Sequence, residues 1–590
     1  MLDLLTPPLP RDGVRFDAGT PRDQVLLRSH LIGTDVALTR AGGGNFSAKG
    51  TLDGEPTLWM SSWGCDGAST TEEDFPALRL ATLRELRHVP PLESRTMLDR
   101  VAAAAMRPRQ KPPGIETLTH AFIPATHVDH CHPDAVIALT CIPDGRRRAA
   151  AHFGEEAIWF DYRQFDMGVA QELADRIEAQ PGCRFVLLAN HGIFTWAETS
   201  ERCYRNSLEA VRRATHALHA ARTPRTRTLG GPAVTAMAPE RADDVLVELL
   251  PVIRGALRDG DNPIVVRAET GPGALRFASS RRGPRLSQYG PGCPDSLVTV
   301  GYRPLALTPQ ELTPAGVRAA VGRYRARYAD MFDRHADPQA RRQGPRRDLP
   351  RVLLLPGIGE VVSGADAAQA RICAEHFAQT RSVIEAADAA GGYSSLHEAQ
   401  GIADEYWPLM RAKPLLHTTA GPLGDAVVLV AATGAGTVTA HVAEELAAAG
   451  AHVMVAGAAP DRPPGTARSD RLAVLTTPAT RPARLVGEAV RTFGGFDVVV
   501  DMTDDDRLIR AAAPVFARQR GRGVVCLAGR GTAGAEAGPS EAGPPEARPS
   551  DDGGHIEVIA EHDPTLIAGR VIAARHREVP LTAGSKEAAS

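Results

Sequence analysis

An α/β protein of several domains is what this sequence predicts, and three observations predict it. Its 590 residues exceed what a single hydrophobic core usually holds. In the first half, short β-forming segments around residues 128–132 and 185–189 sit among helical stretches. From about residue 421 onward, apolar strands at 424–430, 451–456, 497–500 and 523–527 alternate with helical segments, the first running through Leu446. That alternation predicts a parallel, doubly wound sheet.

The elements of the first half carry the chemistry. A glycine-rich turn, Gly42-Gly43-Gly44-Asn45-Phe46-Ser47, comes first. A helix start follows at Pro113-Gly114-Ile115-Glu116-Thr117-Leu118-Thr119-His120, with Glu116 as a candidate acid or base. Next is His130-Cys131-His132, closed by Pro133. A period of two puts both imidazoles on one face of a strand, where they can grip one cation. Finally His191, in Asn190-His191-Gly192, ends the apolar run 185–189, where a strand would deliver a third nitrogen. Three protein ligands with an open fourth position is the pattern of a catalytic zinc.

In this order the motifs resemble the class II aldolase/adducin family. The chain is most similar to the bifunctional rhamnulose-1-phosphate aldolase/short-chain dehydrogenase proteins. The resemblance extends to Val128-Asp129-His130-Cys131-His132-Pro133, Pro294-Asp295, Leu354-Leu355-Pro356-Gly357-Ile358-Gly359 and Glu405-Tyr406-Trp407. It implies an N-terminal three-layer α/β/α domain with a largely antiparallel sheet, and a C-terminal Rossmann-like domain. It implies zinc on His130, His132 and His191, proton shuttling by Glu116, and donor binding by Asn45 and Ser47. It also implies a homo-oligomer.

Departures from that family bear on the substrate. Trp63 stands near a phosphate-binding serine position, beside Ser62, and Gly114 and Ile115 replace the serines that often precede the glutamate. Phosphate oxygens want hydroxyl and N–H donors, so a donor without phosphate becomes a hypothesis. The rival Schiff-base chemistry needs a lysine, and the chain has four: Lys49, Lys111, Lys413 and Lys586. None is expected in an apolar strand. His120 lies four residues after Glu116 and could orient it or merely fill the core. Asp129 should face away from the histidine face, as should Cys131.

The C-terminal third keeps the expected strand order without the dehydrogenase residues. Thr433, Thr437 and Thr439 align with the three glycines of the dinucleotide turn, Gly434 and Gly436 fall out of register, and Gly457 replaces the ribose-binding acid. Met502-Thr503-Asp504 replaces Asn-Ala-Gly. No tyrosine follows Tyr406, so the Tyr-Lys acid pair is missing. NAD binding is therefore not expected. Residues 529–554 are rich in Gly, Ala, Pro, Ser and Glu and are expected to be a disordered insertion. The domain expectation is 1–225 for the zinc domain, 226–420 for a connecting region, and 421–590 for the degenerate dehydrogenase-like domain. A further break is expected near 334–350, which is polar and Arg-rich.

Composition narrows the rest. A net charge of −3 implies no polyanion attraction, so no nucleic-acid partner is expected. The eight cysteines are single, without Cys-X-X-Cys, which fits a reducing cytoplasm. No signal peptide and no membrane span are expected. The expected function is a zinc-dependent aldolase acting on a ketose or hydroxyketone and an aldehyde. The alternatives are a sugar-phosphate epimerase or dehydratase on the same site, or a non-catalytic, adducin-like interaction protein.

Overall fold

Three sheets organise the chain in this computed structural model. It describes residues 13–222, 228–258, 264–408, 410, 421–424, 426–432, 437–456, 471–503, 506–520, 523–528, 556–561 and 566–575.

The first sheet has seven strands: β1 (Asn45–Leu52), β2 (Glu55–Met60), β3 (Ala77–Arg79), β4 (His127–Cys131), β5 (Ala157–Phe160), β6 (Phe185–Leu188) and β7 (Gly192–Ala197). Their order is β3-β2-β1-β4-β7-β6-β5. Every pairing is antiparallel except β5 with β6. The expected largely antiparallel α/β architecture is thus the one observed. β4 is central and buried along its whole length. One of its faces carries Asp129, which meets Arg28 in an ion pair of 2.8 Å from which both side chains exclude water. Cys131 also lies in apolar core, with Ile137 and Phe185. The opposite face carries His130. His132 lies just beyond the strand end, so the period of two carries its side chain to the same side.

Long helices brace this sheet. Pro21–Gly33 starts with a capping box between Thr20 and Asp23, and Ser200–Ala221 is capped by Thr199. Arg28 from the first reaches Asp129, Ser200 and the backbone oxygen of Ser47, which ties both helices to β1 and β4.

The second sheet, β8 (Val265–Glu269), β9 (Leu305–Ala306), β10 (Val352–Leu355) and β11 (Gly359–Gly364), has the order β8-β11-β10-β9. β9 and β10 pair across residues 334–350, so the break expected there is corrected: that stretch lies inside one sheet-bearing unit. One of its arginines is internal. Arg346 is buried against Glu405 and Asp348, so an Arg-rich composition here marks an internal ion-pair network, not a linker. Helix Ala367–Ala389, capped by Asp366, packs against β11 and against the N-terminal unit.

The third sheet, β12 (Val427–Ala432), β13 (His452–Ala456), β14 (Leu472–Leu475), β15 (Val498–Met502), β16 (Gly523–Ala528) and β17 (Ile556–Glu561), has the order β14-β13-β12-β15-β16-β17. All its pairings are parallel, as the strand–helix alternation predicts. The central strands are buried on both faces, which is why they read as continuous apolar runs. Helix Pro239–Leu257 joins this sheet to the second through a shared core, including Leu249, Ile253, Phe496 and Phe516. The turn at Thr433, Gly434 and Gly436, the side chain of Thr437, Gly457, Asp504 and the insertion at 529–554 fall outside the described residues. Among the described residues, no helix is long and apolar enough to cross a membrane.

Candidate active site

A cleft of about 630 Å3 opens where the N-terminal sheet meets the second unit. Asn45, Glu116, His130, His132 and His191 all line it, drawn together from four separate segments.

Local backbone chemistry explains each placement. β1 pairs with β4 so that Asn45 faces His130, and cross-strand partners project to the same side. Gly44, at φ +70°, precedes Asn45, and a Cβ there would lie 2.4 Å from the His130 carbonyl oxygen. Only glycine allows that approach. His191 sits in the turn between β6 and β7, after Asn190 at φ 52°. Thr140 holds that turn by accepting from the Asn190 backbone N–H at 3.0 Å. At Gly192 a Cβ would meet the Cys131 carbonyl oxygen at 2.3 Å and the His132 ring at 2.7 Å, so glycine is what lets the third histidine close on the other two. Glu116 is the N-cap residue of helix Thr117–Phe122.

The three imidazoles form one cluster, with ring centroids 4.7, 5.0 and 4.9 Å apart. Nδ1 of His130 lies 3.1 Å from the Ile193 carbonyl, which can only accept, so Nδ1 carries the proton. Burial, and then the neighbouring His132 and His191, push the His130 pKa well below the usual histidine range and keep the ring neutral. Nε2 is therefore a lone pair. Nδ1 of His132 lies 2.7 Å from a carboxylate oxygen of Asp295. The Nε2 atoms of His130 and His132 lie 2.9 Å apart. The three histidines bring one ligand nitrogen each within 4.8 Å of one another, a donor set suited to a divalent metal such as zinc.

Two sequence readings need correction. Ser47 does not line the cleft. It lies two residues farther along β1 than Asn45, and its hydroxyl is 2.7 Å from Nδ1 of His120. Lys49 is buried in a strand after all, and burial lowers its pKa to about 7. Its Nζ donates to the carbonyls of Ile123 and Ala125 at 2.7 and 2.6 Å and is not among the groups lining the cleft. It closes the end of the Glu116 helix.

Sequence reasoning gives other residues no place in the site, Asp295 and Trp407 of the resemblance motifs included, because only the fold brings them in. Asp295, Asp404, Trp407 and Met410 belong to the second unit, and all line the cleft. Asp404 accepts a hydrogen bond from Tyr162, and burial raises its pKa to about 6. Gln379, from helix Ala367–Ala389, donates to the His132 carbonyl at 2.8 Å. Trp63, Ile115 and Phe165 add apolar wall. Ser62 lines the cleft as well, with its hydroxyl donating to Asp74 at 3.1 Å. No periodicity or spacing marks the second-unit residues as partners of histidines so far upstream.

The chain can now be placed among known proteins. Residues 26–218 match the family described as class II aldolase and adducin N-terminal domain. Residues 244–414 match aldolase class II, second domain. The N-terminal unit is a class II aldolase/adducin domain. A curated relative, the uncharacterized oxidoreductase YuxG of Bacillus subtilis (strain 168), is 30% identical over 451 residues, covering 74% of this chain. The chain spans 64% of that relative's length. Among solved structures, the N-terminal class II aldolase domain of a conserved Thermoplasma acidophilum protein is similar at 24% identity. That match has a TM-score of 0.34 and covers 35% of this chain and 99% of the other. The L-fuculose-1-phosphate aldolase of Thermus thermophilus is similar at 18% identity and a TM-score of 0.23, over 33% of this chain and 93% of the other. The chain therefore joins an aldolase-type domain, an aldolase second domain and a Rossmann-like parallel sheet.

Proposed function

We propose that this protein is a zinc-dependent aldolase that cleaves or forms a carbon–carbon bond in a ketose or hydroxyketone. The observation that carries this reading is the buried cluster of His130, His132 and His191, with Glu116 lining the same cleft.

His130, His132 and His191 would hold the metal. Bound zinc would supply Lewis-acid stabilisation of the negative charge that bond cleavage leaves on the donor carbonyl. Glu116 takes or returns the proton at the donor carbon that becomes nucleophilic in the aldol direction. Asn45 holds the Glu116 carboxylate through its Nδ2, at 2.7 Å. Trp63, Ile115, Phe165 and Trp407 restrict water around the reacting carbons. They also give the donor end more apolar surface than a phosphate site needs, so the reading extends to donors without phosphate. We read the Rossmann-like domain as a scaffold without NAD chemistry, and the protein as a cytoplasmic homo-oligomer.

The test is product release by zinc-loaded protein from a panel of ketoses and ketose-1-phosphates, followed by mass spectrometry. Two carbon fragments that vanish in Glu116→Gln are expected. A single isomerised or dehydrated product would assign the site to an epimerase or dehydratase. Protein that neither binds zinc stoichiometrically nor turns over would be a non-catalytic interaction module.

A further inference from the structure

Four side chains, running from the cleft wall into the interior, form an unbroken hydrogen-bonded line. Ser47 Oγ is 2.7 Å from His120 Nδ1, His120 Nε2 is 2.6 Å from Asn45 Oδ1, and Asn45 Nδ2 is 2.7 Å from Glu116 Oε2. All four residues are buried.

The protons along this line have one consistent direction. An ionised carboxylate only accepts, so the Asn45 amide must turn its NH2 group to Glu116. Its carbonyl oxygen then faces His120 and can only accept, so His120 Nε2 carries a hydrogen. Burial, with the charges of Lys49 and Arg28 nearby, pushes the His120 pKa well below the usual range and keeps the ring singly protonated. Nδ1 is therefore an acceptor, and the Ser47 hydroxyl donates to it. Turning the Asn45 amide over would set its oxygen against the carboxylate, and turning the ring over would leave a mismatch at both ends.

We infer that His120 is a positioning residue: through Asn45 it holds Glu116 in the orientation from which the proton transfer occurs, and Ser47 locks the imidazole tautomer that does so. The fold makes this possible because Asn45 and Ser47 stand two apart on one face of β1, and one imidazole spans the gap. His120 reaches them because it lies one helical turn beyond Glu116. The inference rests on the proposed role of Glu116. It explains why Ser47, though near the glycine turn, is spent on a histidine.

The test uses the full-length, zinc-loaded protein with His120→Phe, which keeps a ring but no donor or acceptor, and His120→Gln. The Gln amide can accept from Ser47 and donate to Asn45, so it can restore the line. The readout is exchange of the donor's α-proton with D2O, followed by NMR with dihydroxyacetone and dihydroxyacetone phosphate. His120→Phe should lower kcat for exchange by about 100-fold with KM within about twofold, since small misplacement of a reacting group costs that much. His120→Gln should recover most of it, with zinc content unchanged in both. Wild-type exchange in His120→Phe would overturn the inference, and so would equal losses in both variants. 15N NMR of His120 gives an answer that does not depend on turnover. A protonated Nε2 with a bare Nδ1 near neutral pH is expected; the opposite tautomer or an imidazolium would sink the relay. If the wild type exchanges no donor but shows the expected tautomer, the aldolase reading fails while the relay stands.

Discussion

The N-terminal and C-terminal sheets both bury polar groups near strand ends, and they use them differently. Around β1, β4 and the β6–β7 turn, imidazole lone pairs and a carboxylate converge on open space. Beside β15 the buried carboxylate of Asp497 is consumed. Arg254 holds it at 2.7 Å, Arg258 and the Val427 backbone N–H hold it as well, and neither Arg254 nor Asp497 has any exposed side-chain surface. Asp501 is likewise engaged by Thr503 through both its backbone and its hydroxyl. A buried polar residue thus marks chemistry only where its lone pairs point into a cavity. Where they end on cations and amides, they fasten one unit to the next.

That contrast can be broken or sharpened by experiment. The largest effects should come from the cleft. His132→Ala and His191→Ala should each abolish stoichiometric zinc, and Glu116→Gln should keep zinc yet lower cleavage by about 1,000-fold, in the range of general acid–base contributions. Metal analysis beside turnover separates the two; zinc retained in both histidine variants would mean that the cluster is not a metal site.

Next is Asp497→Ala. It leaves two buried guanidinium groups short of their partner and should destabilise the fold by about 3–5 kcal/mol in urea unfolding. Zinc content should not change. A variant that lost zinc while keeping its stability would erase the distinction between the two sheets.

Asp295→Ala should weaken zinc binding by about 10–100-fold in a chelator competition, the usual cost of removing a group that orients a ligating histidine. Unchanged affinity would mean that the second unit only walls the cleft.

The smallest effect is a pH dependence at Asp404. Its folded pKa, about 6, lies above the ordinary value of 3.8, so the folded protein holds this proton more tightly than the unfolded chain does. The resulting stabilisation is fully present below about pH 4 and is lost as pH rises through 6. Asp404→Asn should flatten that decline in thermal melts between pH 4 and 6.5. An unaltered pH profile would assign the decline to other groups.

Much of the site is legible in the sequence because its signals are local. The His130–His132 spacing needs only the alternation of a strand, and Glu116 needs only a helix start. The readings that fail do so for another reason. Lys49 has polar neighbours in sequence, yet β1 lies inside the sheet, where it pairs with β2 and β4. The stretch at 334–350 has the composition of a linker, yet partners at Asp348 and Glu405 make its arginine internal.

The sequence by itself determined the strand–helix alternation of the C-terminal region with its parallel sheet, and the candidate ligands, because periodicity and turn chemistry act over a few residues; the antiparallel character of the N-terminal sheet came from the family resemblance. The tertiary structure decided which lone pairs meet. It took Ser47 out of the cleft and into a line behind Glu116, and it brought Asp295, Asp404 and Trp407 from a distant unit to the histidines. Those contacts join segments far apart in the chain, and no local pattern encodes them. They exist because packing two units together buries apolar surface, and the polar groups caught at the seam must find partners there.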